Sequence, residues 1–189
     1  MWWTDTVDTP TVQVFTALLT LLAGLGAVAS LGALALAGRW PPAATALATV
    51  REVGLWFGFL IAAGATLGSL WFSEVAGFVP CRLCWYQRIA MYPLTPILLV
   101  AAVRSDRRVG WYVVPIAAIG AGLAGWHYLI EWRPSLEGGV CSASGPSCAD
   151  IWFREFGFIT LPFMALVGFL SIIVFTLLAA PHRQGTESS

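Results

Sequence analysis

The chain has 189 residues, of which 58% are hydrophobic and only 11% are charged, and its ten basic and ten acidic side chains cancel to a net charge of zero. A soluble domain carries about 25% charged residues, so this composition excludes an ordinary soluble domain and indicates a membrane protein. All ten basic residues are arginines dispersed along the chain, a pattern that does not suggest a nucleic-acid-binding surface.

Five apolar runs reach the length of about 20 residues that a membrane-spanning helix needs. They predict an all-α integral membrane protein with five transmembrane helices, at 12–38, 53–73, 85–103, 109–130 and 156–180. The first run is too long for a signal peptide and lacks a small-residue cleavage site, so we expect it to be retained. Trp2 and Trp3, just before it, suit the lipid headgroup region.

The arginines predict how these helices are oriented. Six of them lie in the first connection, the third connection and the tail, whereas the other two connections contain three: Arg82, Arg133 and Arg154. Because cytoplasmic segments carry the excess of arginine, we expect the N-terminus and both cysteine-bearing segments outside the cell membrane and the C-terminus inside. Cysteines on that oxidising side can form lasting disulfides.

The first helix contains no ionisable group, and we expect it to be scaffold. The Arg-Trp-Pro-Pro sequence at 39–42 should end it, and a linker of small residues is expected as far as residue 51. The second helix contains two Gly-x-x-x-Gly pairs, at 54/58 and 64/68, a spacing that lets helices approach closely. We expect internal packing from both pairs, with a dimer interface as the alternative.

The third helix opens with Cys81-x-x-Cys84, directly after Pro80. The positive end of a helix dipole stabilises a thiolate at this position, so the pair predicts thiol–disulfide exchange. Arg88 follows Cys84 by one helical turn on the same face. An arginine within a membrane segment is a functional candidate, and the alternative is a side chain that merely extends to the surface.

His127 and Glu131 end the fourth helix at the outer interface. They either mark the helix end or handle protons at the site, because histidine titrates near neutral pH.

Residues 133–155 form the one sizeable external loop, which glycines and Pro146 predict to be irregular and mobile. It contains Cys141 and Cys148, and the short ring of small residues between them favours a second pair. The aromatic residues that follow should lie on the membrane surface and tether the loop near the third helix: Trp152, Phe153, Phe156 and Phe158. Two exchangeable pairs on one face of a membrane can act as a relay.

Two other uses of the four cysteines stay open at this stage. They could bind zinc, although the spacing of Cys141 and Cys148 is looser than in the usual zinc ribbon. They could also form inert structural disulfides, although a Cys-x-x-Cys ring usually marks an exchangeable bond.

As a set, these residues resemble one known family. Pro-Cys-x-Leu-Cys-x-Tyr-x-Arg at 80–88, a loop with a second cysteine pair, Cys148-Ala149, and a Phe-Gly-hydrophobic run that ends at Pro162 are similar to the DsbB (BdbC-like) membrane thiol oxidoreductases. The likeness covers about residues 53–180. The family's usual core has four helices, so the first helix is an addition here, and the loop pair is unusually close.

The resemblance implies a DsbB-like four-helix bundle at 52–181, with its external cysteine loop at 132–157. An extra helix and a cytoplasmic linker at 1–51 would precede the bundle, and a disordered cytoplasmic tail at 182–189 would follow it. The implied activity is that of a cell-membrane enzyme that reoxidises a soluble DsbA-like thioredoxin-fold oxidase and passes two electrons to ubiquinone or menaquinone.

The family pattern also implies a role for each cysteine. The partner attacks Cys141, Cys148 then attacks Cys81, and Cys84 meets the quinone. We assign Arg88 and His127 to the quinone site with Cys84.

Two alternatives differ in class. A vitamin K epoxide reductase-like quinone reductase also combines a membrane Cys-x-x-Cys with loop cysteines, but in that family the Cys-x-x-Cys follows the loop pair, whereas here it precedes it. A membrane scaffold with structural disulfides or zinc would be non-enzymatic, and its cysteines would not cycle with the supply of quinone.

Overall fold

A computed structural model describes residues 8–141 and 146–180 of the chain. Within these residues, five helices are long and apolar enough to cross a membrane: α1 (Thr9–Leu36), α2 (Pro41–Glu74), α3 (Arg82–Arg104), α4 (Gly110–Trp132) and α6 (Leu161–Ala179). A one-turn helix, α5 (Gly138–Cys141), lies between α4 and α6. The predicted all-α architecture with five spanning helices is confirmed. Trp2, Trp3 and the tail at 182–189 lie outside the described residues.

The linker that we expected before residue 51 is wrong, because α2 already begins at Pro41. Pro41 and Pro42 stand in the first turn of the helix, where a proline sacrifices no backbone hydrogen bond. Four of the eight residues that follow them, at 43–50, are alanine, the best helix former. The proline pair therefore separates α1 from α2, as predicted, but it does so by starting the second helix rather than by opening a linker.

α2, α3, α4 and α6 pack around a common core, in which Leu94, Leu98 and Phe169 are fully buried. α2 and α6 approach closely in the first half of α2 and near the end of α6. A Cβ added to Gly54 would lie only 2.8 Å from the carbonyl oxygen of Phe175. The internal packing predicted for the first glycine pair is therefore confirmed.

The second glycine pair behaves differently. A Cβ added to Gly64 would meet nothing within 4 Å, and one added to Gly68 would meet only Thr16 of α1, at 3.9 Å. The space between α2 and α6 therefore widens toward the other end of the bundle, where α2 ends and α3 and α6 begin. We call this the cysteine end.

α1 packs on the outside of the bundle against α2 and α6. Ala17 is fully buried there, and Gly24 faces Val167 of α6. The opposite face of α1 exposes large apolar side chains such as Leu18 and Leu25, as a lipid-facing surface does.

The chain between α4 and α6 folds over the cysteine end. Thr160, just before α6, donates a 2.6 Å hydrogen bond to the buried carboxylate of Glu131. The Tyr128 hydroxyl donates to the carbonyl oxygen of Phe158 at 3.0 Å. These two contacts attach the end of the connection to α4 and so fix where the loop can lie.

Candidate active site

Cys81 and Cys84 lie at the start of α3. Cys81 is the N-cap, and its sulfur accepts a hydrogen bond from the Cys84 backbone N–H at 3.3 Å, the place that a serine or aspartate oxygen usually takes. Both residues are free thiols, and their sulfur atoms are 3.0 Å apart. Cys81 is buried and Cys84 is half-buried. The pair therefore needs only a small movement to form a disulfide.

His127 of α4 lies beside Cys81 and is buried. Its Nε2 is 3.7 Å from the Cys81 sulfur and 3.1 Å from the carbonyl oxygen of Cys148, and its Nδ1 is 2.9 Å from Nε2 of Gln87. With the Gln87 amide donating to Nδ1, the neutral ring carries its proton on Nε2. That proton points at Cys81 and at the loop, which is where an exchange reaction would use it.

The surroundings of Cys81 favour its thiolate. A hydrogen bond with the Cys84 thiol contributes most and His127 adds to it, and together they outweigh the effect of burial and lower the pKa of Cys81 from its ordinary 9.0 to about 4. Stabilising a thiolate stabilises the reduced form of its pair, and so makes the disulfide form a stronger oxidant. The Cys81–Cys84 pair is thereby suited to take electrons from another dithiol.

The second pair forms a disulfide, Cys141–Cys148, with its Cα atoms 5.8 Å apart. The loop was expected to be mobile and Cys141 to be attacked by a soluble partner, but Cys141 is only 3% exposed and Cys148 is fully buried. Both sulfurs pack in one buried cluster with Cys81, Leu83 and Ile130. The loop disulfide thus packs against the Cys81–Cys84 pair, and a soluble protein could reach it only after the loop moves.

Glu137 holds the loop in this position. Its Oε1 accepts hydrogen bonds from the Cys148 backbone N–H and from the Ser147 hydroxyl, each at 2.8 Å. Its Oε2 also lies 2.8 Å from that hydroxyl. A single carboxylate therefore fixes the residues that deliver Cys148 to the cluster.

Aromatic rings also attach the loop to α2. Trp152 stacks on Phe78 with ring centroids 4.7 Å apart, and Phe78 stacks in turn on Phe72 at 5.6 Å. Phe153 lies 5.3 Å from Phe72. These rings were expected to lie on the membrane surface. Trp152 and Phe153 also pack against protein, although Trp152 remains 42% exposed. Phe156, which is 57% exposed, stays available for the membrane.

A cavity of about 680 Å³ opens on the far side of Cys84. Arg88 and Gln87 line it near Cys84, and most of the remaining lining is apolar and comes from α1, α2 and α6. Arg88 donates to the carbonyl oxygen of Ser69 at 3.0 Å and lies over the Trp85 ring, 5.3 Å from its centroid. A guanidinium has five N–H donors, so Arg88 can also bind an oxygen atom in the cavity.

The six residues predicted for the site thus divide between two sides of one cysteine pair. His127, Cys141 and Cys148 lie with Cys81 on the loop side, whereas Arg88 lies with Cys84 on the cavity side. His127, which was assigned to the quinone site, lies in a small pocket with Cys81, Cys84 and Glu131. Cys84 also lines the large cavity, and contact between His127 and a quinone stays a prediction. Sequence reasoning missed Gln87 and Glu137, because neither stands in a pattern that marks it out.

The metal alternative changes with this geometry. Because Cys141 and Cys148 are bonded to each other, they cannot supply thiolates to a four-cysteine zinc site in this state. Cys81, Cys84 and His127 do bring their ligand atoms within 4.8 Å of one another. A zinc ion there would occupy the same sulfur atoms that exchange requires.

Comparison with known proteins gives a consistent result. The sequence model of the family described as "Disulfide bond formation protein DsbB" matches residues 51–179. "Disulfide bond formation protein C" of Bacillus subtilis (strain 168) is 48% identical over 125 residues, which cover 66% of this chain and 91% of that protein. "Probable disulfide formation protein" of Coxiella burnetii (strain RSA 493 / Nine Mile phase I) is 39% identical over 131 residues, 69% of this chain and 89% of that protein. No solved structure matches the chain significantly.

Proposed function

The chain belongs to the DsbB family of disulfide bond formation proteins, and on this premise we propose that it is a membrane thiol:quinone oxidoreductase. It would reoxidise a thioredoxin-fold, DsbA-like dithiol oxidase outside the cytoplasm and pass the electrons to a membrane quinone. One observation carries the proposal: Cys81 contacts His127 and packs against the loop disulfide, whereas its neighbour Cys84 lines a large apolar cavity that also contains Arg88.

Electrons enter through the loop. A thiolate of the partner attacks Cys141, which forms a mixed disulfide and releases Cys148 as a thiolate. Cys148 then attacks Cys81 of an oxidised Cys81–Cys84 pair, and Cys84 leaves as the thiolate. The second thiol of the partner attacks the mixed disulfide, so the partner departs oxidised and Cys141 becomes a thiolate. Cys141 next attacks Cys148, which restores the loop disulfide and leaves Cys81 and Cys84 reduced.

Proximity selects Cys81 as the target of Cys148. Leaving-group chemistry alone would favour attack on Cys84, because the lowered pKa of Cys81 makes Cys81 the better leaving thiolate. Cys81, however, lies inside the buried cluster with the loop cysteines, whereas Cys84 lies at the edge of that cluster and also lines the cavity. His127 can donate its Nε2 proton toward Cys81 or toward the loop, and so can neutralise the negative charge that moves between them.

The cavity side supplies the electron sink. When bound, a quinone accepts two electrons and two protons. The residues that would hold it fit this task, because Arg88 and Gln87 provide N–H donors for a ring oxygen close to Cys84, and the rest of the lining suits hydrocarbon. The guanidinium charge also stabilises the thiolate at Cys84 and negative charge on a neighbouring oxygen.

The orientation is part of the proposal. The arginine excess would place the cysteine end outside and the connection between α3 and α4 inside. In a background without the native cysteines, Val75→Cys should react with a membrane-impermeant thiol reagent in intact cells, and Asp106→Cys should not. The reverse labelling pattern would contradict the relay, because it would place the cysteines on the reducing side.

Anaerobic reoxidation tests the activity itself. The purified protein is reduced, mixed with quinone, and its thiols are counted by alkylation and mass spectrometry. We expect loss of two thiols for each quinone consumed, and no loss in Cys84→Ser. Should quinone leave the Cys81–Cys84 pair reduced in the wild type, the proposed function would be wrong.

A further inference from the structure

One wall of the cavity beside Cys84 comes from outside the residues that match the family. The match begins at residue 51, whereas α1 ends at Leu36. α1 nevertheless lines the cavity with a strip of small side chains: Thr16, Thr20, Ala23, Gly26 and Ser30. Their spacing of three or four residues places them on one face of the helix. α1 is therefore part of the cavity rather than a separate membrane anchor.

The arrangement of α2 and α6 explains why this wall is needed. The two helices touch at Gly54 and Phe175, but the space beside Gly64 is open. α1 covers the resulting gap by packing against α6, where Gly24 faces Val167, and against α2, where Thr16 lies near Gly68. Without α1, this side of the cavity would open directly to lipid.

The strip on α1 is chemically neutral. The hydroxyls of Thr16, Thr20 and Ser30 donate to backbone carbonyl oxygens of their own helix, at 2.8, 2.9 and 2.7 Å. They therefore do not need a polar ligand. At 1.5 Å per residue the strip is about 21 Å long. The guanidinium and amide groups of the cavity, on Arg88 and Gln87, lie near Cys84.

A ligand that matches this shape has a polar ring at one end and a long hydrocarbon chain. We infer that α1 is a specificity element that packs against the isoprenoid tail of the quinone and makes the protein prefer long-tailed quinones. The inference rests on the proposed function, because it takes the quinone as the ligand. It adds a role for a helix that the family match leaves out.

A matched pair of substitutions on α1 tests this role. Ala23 lines the cavity, whereas Ala29 is exposed on the other face of the same helix. Ala23→Phe should push a ring into the path of the tail, and Ala29→Phe should only add a ring on the lipid side. Ala23→Leu is a milder version, and Gly64→Leu narrows the same space from α2, where an added Cβ meets nothing within 4 Å.

Two measurements are compared among these variants. The first is the amount of quinone that is extracted with organic solvent from the purified protein. The second is KM for anaerobic reoxidation by a benzoquinone and a naphthoquinone, each with and without a long alkyl tail. Thermal unfolding in detergent identifies any variant that fails to fold, and such a variant is replaced by Ala23→Leu or Gly64→Leu.

We expect Ala23→Phe to raise KM for the tailed quinones about tenfold, the scale of losing two buried methylene contacts. KM for the tailless quinones should not change, the extracted quinone should fall, and Ala29→Phe should match the wild type. Equal effects on both kinds of quinone, or no effect on either, would overturn the inference and leave the proposed function intact. If no quinone reoxidises even the wild type, the proposed function fails instead.

Discussion

Replacement of Glu137 by alanine is predicted to release the loop disulfide from its buried position. The carboxylate accepts hydrogen bonds from the Cys148 backbone N–H and the Ser147 hydroxyl, each at 2.8 Å. Alanine provides no acceptor for either donor. Because Cys148 is fully buried in the closed loop, its N–H would lose its partner there, and could regain one from water only if the loop opens.

The size of the effect follows from these two bonds. A hydrogen bond to a charged group contributes about 1.5–3 kcal/mol. Glu137 is itself only half-buried, and water replaces part of what is lost, so we take about 1.5 kcal/mol for the pair of bonds. That free energy corresponds to about a tenfold larger population of the open loop. Glu137→Gln keeps one acceptor oxygen and should give a smaller increase.

The assay is the rate at which a water-soluble phosphine reduces Cys141–Cys148, read from mass shifts after alkylation. Serine at positions 81 and 84 prevents internal exchange from reducing the loop. Under these conditions Glu137→Ala should be reduced about tenfold faster than the parent, in proportion to the open population. Glu155→Ala is the control, because it removes a carboxylate from the same connection. Glu155 bonds Ile159 through its backbone, so alanine keeps those hydrogen bonds.

Two results would refute this reasoning. If Glu137→Ala is reduced at the rate of its parent, the carboxylate does not hold the loop. If Glu155→Ala is accelerated as much as Glu137→Ala, the effect reports a general loosening of the connection rather than loss of the two bonds to Glu137.

Three further predictions concern the pair, the cavity and the packing. The pKa of Cys81 is lowered to about 4, so the ultraviolet absorbance of the Cys81 thiolate in the reduced pair should persist as the pH falls from 9 and disappear only near pH 4. Loss of the absorbance near pH 9 would contradict the lowered pKa. The reduced protein should lose the accompanying stability over the same fall toward pH 4, because a lowered folded-state pKa stabilises only the deprotonated form. Arg88→Lys should raise KM for quinone about tenfold, because lysine lacks the planar pair of donors, and should leave the unfolding temperature unchanged. A normal KM in Arg88→Ala would instead indicate that Arg88 merely extends to the surface and does not bind the quinone. Gly54→Leu should lower stability by about 1–3 kcal/mol in thermal unfolding, because its Cβ would lie 2.8 Å from the Phe175 carbonyl oxygen, while Gly122→Leu, with nothing within 4 Å, should not.

The five spanning helices could be predicted from the sequence because an apolar run of sufficient length has few alternatives in a membrane. The boundary of α2 could not be predicted in the same way. Residues 41–51 are small and weakly apolar, so hydropathy does not distinguish a linker from a helix there. Pro41 was interpreted as a helix breaker, but a proline in the first turn starts a helix as readily as it ends the one before.

The site was predictable where the chemistry is local in sequence. Cys81, Cys84 and Arg88 lie within two helical turns, so their shared neighbourhood follows from helix geometry. His127 and Cys81 are 46 residues apart, and only the packing of α3 against α4 shows that the histidine lies beside Cys81 and the loop. Glu137 was missed for another reason: an isolated carboxylate before two glycines resembles any polar loop residue, and its function depends on how the loop folds back.

The closed loop gives the relay its order. In the described state the loop disulfide packs against Cys81 and is almost inaccessible to solvent, so it can exchange with Cys81 but not with a soluble protein. In the proposed relay, the loop would open to expose Cys141 to the partner and would then close again to bring Cys148 back to Cys81. The loop disulfide would therefore not meet the partner and Cys81 at the same time, and Glu137 and the Trp152–Phe78 stack, which hold the loop closed, would set how often it opens. Reductants outside would thereby be kept from Cys81 and Cys84, whose electrons would leave only through the cavity.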